Sequence, residues 1–150
     1  MNYKMLLLSI LMVAAVACGK KMDEPVPNVK ADFNGIVTVE YQGQDFDNEN
    51  IKVNYTPSAD GKTADITIFQ IKFVPQMPVT IDVTIPAVPV TASSTGISFS
   101  GTDIIPTAMG GPVERYKVTN LTGNLVDGTI NFSLNFGSYP TRYTGTASVQ

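Results

Sequence analysis

Asp45-Phe46-Asp47-Asn48-Glu49-Asn50 is the densest run of oxygen-bearing side chains in the sequence, with a carboxylate at every second position. Alternating oxygen ligands can wrap calcium, which gathers many oxygens from one turn of chain. An EF-hand loop would also need glycine at its sixth position and a more distant glutamate, between two helices. Here the sixth residue is Asn50, and no helical pattern flanks the run. Asp45, Asp47 and Glu49 are therefore weak metal candidates, and a solvated hairpin loop is the better reading. No metal and no other cofactor is expected.

Two further carboxylates, Asp65 and Asp82, fall inside alternating runs, and paired carboxylates can do acid–base work. Both occupy the polar parity of their runs, which a solvated strand face explains without chemistry. Ser93, Ser94, Ser98 and Ser100 offer hydroxyls, but the chain contains no histidine to activate them, and no Ser-Lys motif stands in its place. The missing histidine also removes the commonest general base and the commonest zinc or copper ligand. No catalytic residue is assigned, and the expectation is a protein that is not an enzyme, with a hydrolase as a reading that has no motif behind it.

Cys18 is the sole cysteine, and it follows the apolar run Met5-Leu6-Leu7-Leu8-Ser9-Ile10-Leu11-Met12-Val13-Ala14-Ala15-Val16-Ala17. Lys4, the apolar centre and the small residues before Cys18 are the three parts of an export signal. The run is shorter than the roughly 20 residues that cross a bilayer as a helix. Ala15-Val16-Ala17-Cys18 resembles the bacterial lipobox, whose thiol is acylated and whose leader is cut just before it; leucine is usual where Ala15 stands. A plain secreted protein would carry an odd reactive thiol outside the cell. The expectation is a signal peptide over residues 1–17 and lipidation at Cys18. With that thiol acylated, no thiolate nucleophile, disulfide or thiolate metal site remains.

Residues 18–31 read as a flexible tether, polar at first and carrying Pro25 and Pro27. Lys20-Lys21 followed by Asp23-Glu24 resembles the surface-export signal of Bacteroidetes lipoproteins, with Met22 interposed. Lipid attachment to the outer membrane is expected, with the cell surface favoured over the periplasmic face. Residues 1–17 hold one charge, Lys4, so the rest of the chain carries nine basic and thirteen acidic side chains. That balance argues against nucleic acid and against a basic membrane-binding patch, leaving the lipid as the anchor.

From Phe33 onward the apolar residues alternate with polar ones, and no stretch has helical spacing. The runs are Val37-Tyr41, Ile51-Tyr55, Ile66-Phe73, Val79-Ile85, Ile97-Phe99, Tyr116-Leu125, Ile130-Phe136 and Tyr143-Val149. Parity switches after Ile68 and after Val118, which suggests bulges or strands buried on both faces. Asp60-Gly61 and Asp127-Gly128 are hairpin turns. Pro75, Pro78, Pro86 and Pro89 bracket the run Val79 to Ile85 at both ends. Thr107 to Pro112 reads as a loop. Eight antiparallel strands with one apolar face each must close into a barrel or pack as two sheets.

Phe33-Asn34-Gly35-Ile36-Val37-Thr38-Val39, Ala64 to Phe73, Met77 to Pro86, Leu121-Thr122-Gly123-Asn124-Leu125 and Tyr143-Thr144-Gly145-Thr146 together resemble the calycin-like β-barrel lipoproteins of Bacteroidetes. The likeness spans about Phe33 to Ser148, essentially the whole of the domain expected over residues 32–150. It implies a lipocalin-like barrel and membrane attachment, and no catalytic residues; the expected fold is an all-β, eight-stranded antiparallel up-and-down barrel, with the β-sandwich that periodicity leaves open as the alternative. Tyr41, Tyr55, Phe69, Phe73, Phe99, Phe132 and Phe136 are candidates to line a ligand cavity, with the filling of a dry core the better reading. The resulting expectation is a cell-envelope lipoprotein binding a small apolar or amphipathic molecule. The alternative is a module that meets a partner protein through its loops Gln44–Asn50 and Thr107–Pro112.

Overall fold

The computed structural model describes residues 30–148, and the expected leader, Cys18 and all but the end of the expected tether lie outside them. Eight strands form the wall: β1 (Ala31–Tyr41), β2 (Gln44–Pro57), β3 (Thr63–Ile71), β4 (Ile81–Ser93), β5 (Gly96–Gly101), β8 (Val118–Val126), β9 (Thr129–Phe136) and β10 (Tyr139–Ala147). Two short strands, β6 (Thr107–Ala108) and β7 (Gly111–Pro112), and a 3-10 turn at Glu114–Tyr116 lie between β5 and β8. Each wall strand pairs antiparallel with the next, and β10 returns to β1. The sheet is thus a closed up-and-down barrel, which leaves no exposed edge in its wall.

The alternation read from the sequence becomes the inside and outside of this wall. Val53, Tyr55, Ile66, Ile68, Val83, Ile85, Ile130 and Phe132 are buried, and the polar residues between them face outward. Replacing one of these buried isoleucines by alanine removes core volume that the wall cannot easily refill, at about 2–5 kcal/mol.

The parity switches are bulges. Register shifts between Ile68 and Ile71 of β3, and Gln70 takes a positive φ of 59°. A second shift lies in β8 opposite Ser133 and Asn135, where Asn120 has φ 54°. Two more bulges were not legible, at Asn50 (φ 57°) in β2 and Ala87 (φ 52°) in β4. Bulges add local twist, and a barrel this small needs strands that coil sharply.

Two expectations are corrected here. Asp45–Asn50 is not a hairpin loop: it is the first half of β2, paired with β1 from Glu40↔Asp45 to Val37↔Asn48. The turn is the Gln42-Gly43 pair before it, both at positive φ (53° and 77°), a two-residue turn that suits strand twist. Nor do the prolines bracket a strand at Val79 and Ile85. Strand β4 starts at Ile81 and runs through Pro86 and Pro89 to Ser93. Pro86 stands beside the Ala87 bulge, where the ladder is already interrupted and a missing N–H costs little.

Strong curvature also requires small residues inside the wall. Gly35 of β1 faces Gly145 of β10, and a Cβ on Gly35 would collide with the Thr144 carbonyl. The space over Gly145 is taken by the Tyr143 ring. The barrel has two unlike ends. The chain enters at Lys30 and leaves at Ser148 at one end, with the turns 58–62, 94–95 and 127–128. The other end carries the turns at 42–43 and 137–138, the 72–80 segment and the 102–117 excursion.

Candidate functional site

Most of the inner aromatic residues form two groups of rings. At the excursion end, Phe73 lies 4.4 Å from Tyr116, 5.2 Å from Phe136 and 5.6 Å from Tyr139, measured between ring centroids. Further along, Phe132 stacks on Tyr143 at 5.3 Å and stands 6.1 Å from Phe99, and Phe99 lies 6.5 Å from Tyr55. Five of the seven candidate cavity residues (Tyr55, Phe73, Phe99, Phe132 and Phe136) are therefore brought together inside the barrel.

Of the other two, Phe69 is corrected and Tyr41 lies apart from the rings. Phe69 precedes the Gln70 bulge and points outward, half-buried, with the Lys52 ammonium 5.0 Å over its ring. Tyr41, at the last position of β1, is half-buried at the rim and joins none of these ring pairs. Tyr143 and Tyr116 belong to the inner set and were not singled out. Tyr143 was recoverable, because it shares the buried parity of the Tyr143-Gly145 run; Tyr116 sits on a 3-10 turn, where parity carries no signal.

The excursion plugs its end of the barrel. Ile104 and Val118 exchange backbone hydrogen bonds of 3.1 and 2.8 Å, and Thr107 of β6 pairs with Thr84 of β4 beside the short β5. Val113 N–H donates to the Pro106 carbonyl at 2.9 Å, and Gly137 N–H to the Lys117 carbonyl at 2.9 Å. Ala108 and Tyr116 are buried by this arrangement, while Met109 at the β6–β7 turn is 71% exposed. The expected loop Thr107–Pro112 is thus a small hairpin lashed to the wall at its base, with only its tip free.

Two phenol groups differ sharply inside the barrel. Tyr143 Oη donates to the Ile51 carbonyl at 2.9 Å. Tyr55, fully buried, has a hydroxyl with no hydrogen-bond partner among the described residues. Leaving such a group unpaired costs about 1–3 kcal/mol. Burial raises the pKa of both above the ordinary phenol value, so both remain protonated donors at neutral pH. No Lys, Arg, Asp or Glu is buried among the described residues.

The acidic run lies on the outer wall. Asp45 pairs with Arg142 at 2.8 Å, and that hydrogen bond holds the guanidinium pKa above its usual value. Asp47 accepts the Thr38 hydroxyl at 2.7 Å. The Arg142–Asp45 side chains are more than half exposed, so solvent leaves the pair worth about 0–1 kcal/mol. Among the described residues no three His, Cys, Asp or Glu side chains gather as metal ligands, and Asp45, Asp47 and Glu49 do not form such a site.

Asp65 and Asp82 stitch bulges. Asp65 accepts the Ala87 N–H at 2.8 Å, and Asp82 accepts the Gln70 N–H at 2.9 Å. Each carboxylate thereby caps the amide that a bulge has freed from the ladder, on the neighbouring strand. Asn48 does similar work in both directions, accepting from Lys72 N–H at 2.9 Å and donating to its carbonyl at 3.1 Å. Ser93 bonds within its own turn, to Thr95 and Gly96. Ser98 and Ser100 line an open outer hollow with Pro89, Thr91 and Thr122. A neighbouring outer hollow of about 350 Å³ is walled by Asn124, Asn131, Ser133, Arg142 and Thr144. A third, of about 340 Å³, lies where the chain enters and leaves, between Lys30, Ala31, Asp32, Ala147 and Ser148.

The arrangement offers no activated nucleophile and no acid–base pair among the described residues. Its unusual feature is a single unpaired hydroxyl in an apolar interior. Compared with known proteins, the chain matches no family model, no curated relative and no solved structure.

Proposed function

We propose that this protein is a lipid-anchored, non-enzymatic lipoprotein of the outer membrane, whose barrel binds a small apolar or amphipathic molecule. Anchoring is read from the leader and Cys18, and from the resemblance of the domain to calycin-like barrel lipoproteins. The unpartnered Tyr55 hydroxyl carries the binding reading: a closed eight-stranded wall can hold one small ligand, and this interior keeps a hydrogen-bonding group unused. Both described chain ends lie at one end of the barrel, so an anchor before Lys30 would leave the excursion end turned away from the membrane.

The reading has two tests. Metabolic labelling with an alkyne fatty acid should mark the wild-type protein in the outer-membrane fraction, and Cys18→Ala should abolish both label and sedimentation. An unlabelled wild-type protein would refute the anchor. Solvent extraction of protein purified from native membranes should release a stoichiometric apolar compound, and an empty extract would count against binding.

A second reading, a docking module for a partner protein, draws on Met109 and Val79, which are 71% and 62% exposed at the excursion end. Crosslinking in intact cells through residue 109 should then trap one stable neighbour, and a blank result would remove this reading.

A further inference from the structure

Tyr55 sits on the inner face of β2, and the residues around its hydroxyl restrict what it can hold. Ala31 of β1 is its direct cross-strand partner, and Ala64 of β3 pairs one inward position further along, with Pro57. On β3 the direct partner of Tyr55 is Ile66, so a small side chain lies opposite it on β1 and a second one inward position along on β3. Ala31 also lines the hollow at the end where the chain enters and leaves. The opposite end is filled by the Phe73, Tyr116, Phe136 and Tyr139 rings and covered by the excursion.

We propose that Tyr55 Oη anchors the ligand of the barrel, and that this ligand is a neutral, mainly apolar molecule presenting a carbonyl or hydroxyl oxygen. The proposal rests on the reading of the barrel as a container, and names its ligand class. Neutrality follows from the interior: no basic side chain is buried among the described residues. An ionised carboxylate there would lose its hydration for one neutral donor, which is strongly unfavourable. A lone water is a poor occupant, because a buried water typically makes about three hydrogen bonds. Tyr55 Oη is the only buried side-chain polar atom left unpaired among the described residues, and the wall strands pair their backbone groups with one another. One oxygen attached to an apolar body satisfies the hydroxyl and brings no further polar group into the interior.

The test uses the full chain in phospholipid nanodiscs, with tyrosine rings carbon-13 labelled and three probes of equal length: octan-2-one, octane and octanoate. Octan-2-one should shift the Tyr55 ring signals and bind about two- to tenfold more tightly than octane, the worth of one neutral hydrogen bond. Octanoate at pH 8 should bind more weakly than the ketone. Tyr55→Phe should erase the ketone preference, whereas Tyr143→Phe should keep it.

A ketone preference that survives Tyr55→Phe, or octanoate binding as tightly as the ketone, overturns the anchor and leaves the container standing. Loss of the preference in both variants also overturns it, as general loosening. If no probe shifts any interior tyrosine, container and anchor fall together.

Discussion

The two halves of the barrel solve the same problem differently. At the excursion end, three rings pack around Phe73, and the β6–β7 hairpin and the 3-10 turn lie beside them. At the end where the chain enters and leaves, the turns are tight, Ala31 and Ala64 are the small inward residues, and a phenol is left unpaired. In the first half no buried side-chain polar atom is left unpaired among the described residues. The second carries a polar group whose burial is unfavourable unless something joins it, which is how a binding half would differ from a structural one.

The halves should differ most at Phe73. Phe73→Ala should lower unfolding free energy by about 3–5 kcal/mol, read from urea denaturation, because the other three rings lose their common neighbour. A loss no greater than that of an exposed substitution would show that the excursion half is not the stable one. Gly35→Ala should cost about 1–3 kcal/mol by forcing β1 and β10 apart.

The two interior phenols draw the contrast more finely. Tyr143→Phe leaves the Ile51 carbonyl without its donor and should cost about 1–3 kcal/mol. In ligand-free protein Tyr55→Phe should be neutral or stabilising, since it removes an unpaired group. Equal losses in the two variants would erase the distinction.

Alkaline titration separates them from the surface. Both pKa values are raised by burial in the folded state, so the unfolded chain releases these protons first. Their contribution is constant below the ordinary phenol value near 10 and is lost as pH rises above it. While the protein stays folded, ultraviolet phenolate absorbance should therefore develop for these two residues only above the ordinary phenol range.

The smallest effect belongs to Asp60. The Ser58 hydroxyl, then the Lys62 backbone N–H, hold its carboxyl below the ordinary value of 3.8. Its stabilisation is present above that value and fades as pH falls through the lower folded one. Asp60→Asn should flatten this acid limb and change little at pH 7.

Much of the wall was legible because period-two alternation reports which face is buried, as in Ile81 to Ile85 and Ile130 to Phe136. The bulges after Ile68 and Val118 were legible too, because they reverse parity among large apolar residues. The Asn50 bulge was not: before it the inward positions are Phe46 and Asn48, and one apolar residue among five polar ones does not register as a buried face, so half a strand read as a loop. Phe69 was misplaced for the related reason that a bulge shifts which side of it faces inward. Asp65 and Asp82 sat at the expected polar parity, yet their partners Ala87 and Gln70 depend on strand register, which composition does not encode. The unpaired Tyr55 hydroxyl is likewise a fact of three-dimensional neighbours, and no spacing rule could have set it apart from Tyr143.

The most direct test of the unlike halves is a high-resolution crystal structure of the protein purified from native membranes without delipidation. A binding half at the chain-entry end predicts density for an oxygen about 2.7 Å from Tyr55 Oη, continuous with an apolar body reaching toward Ala31, and none among the rings around Phe73. A Tyr55 hydroxyl packed only against carbon, with no density beside it, would leave both halves as dry core and refute the binding role.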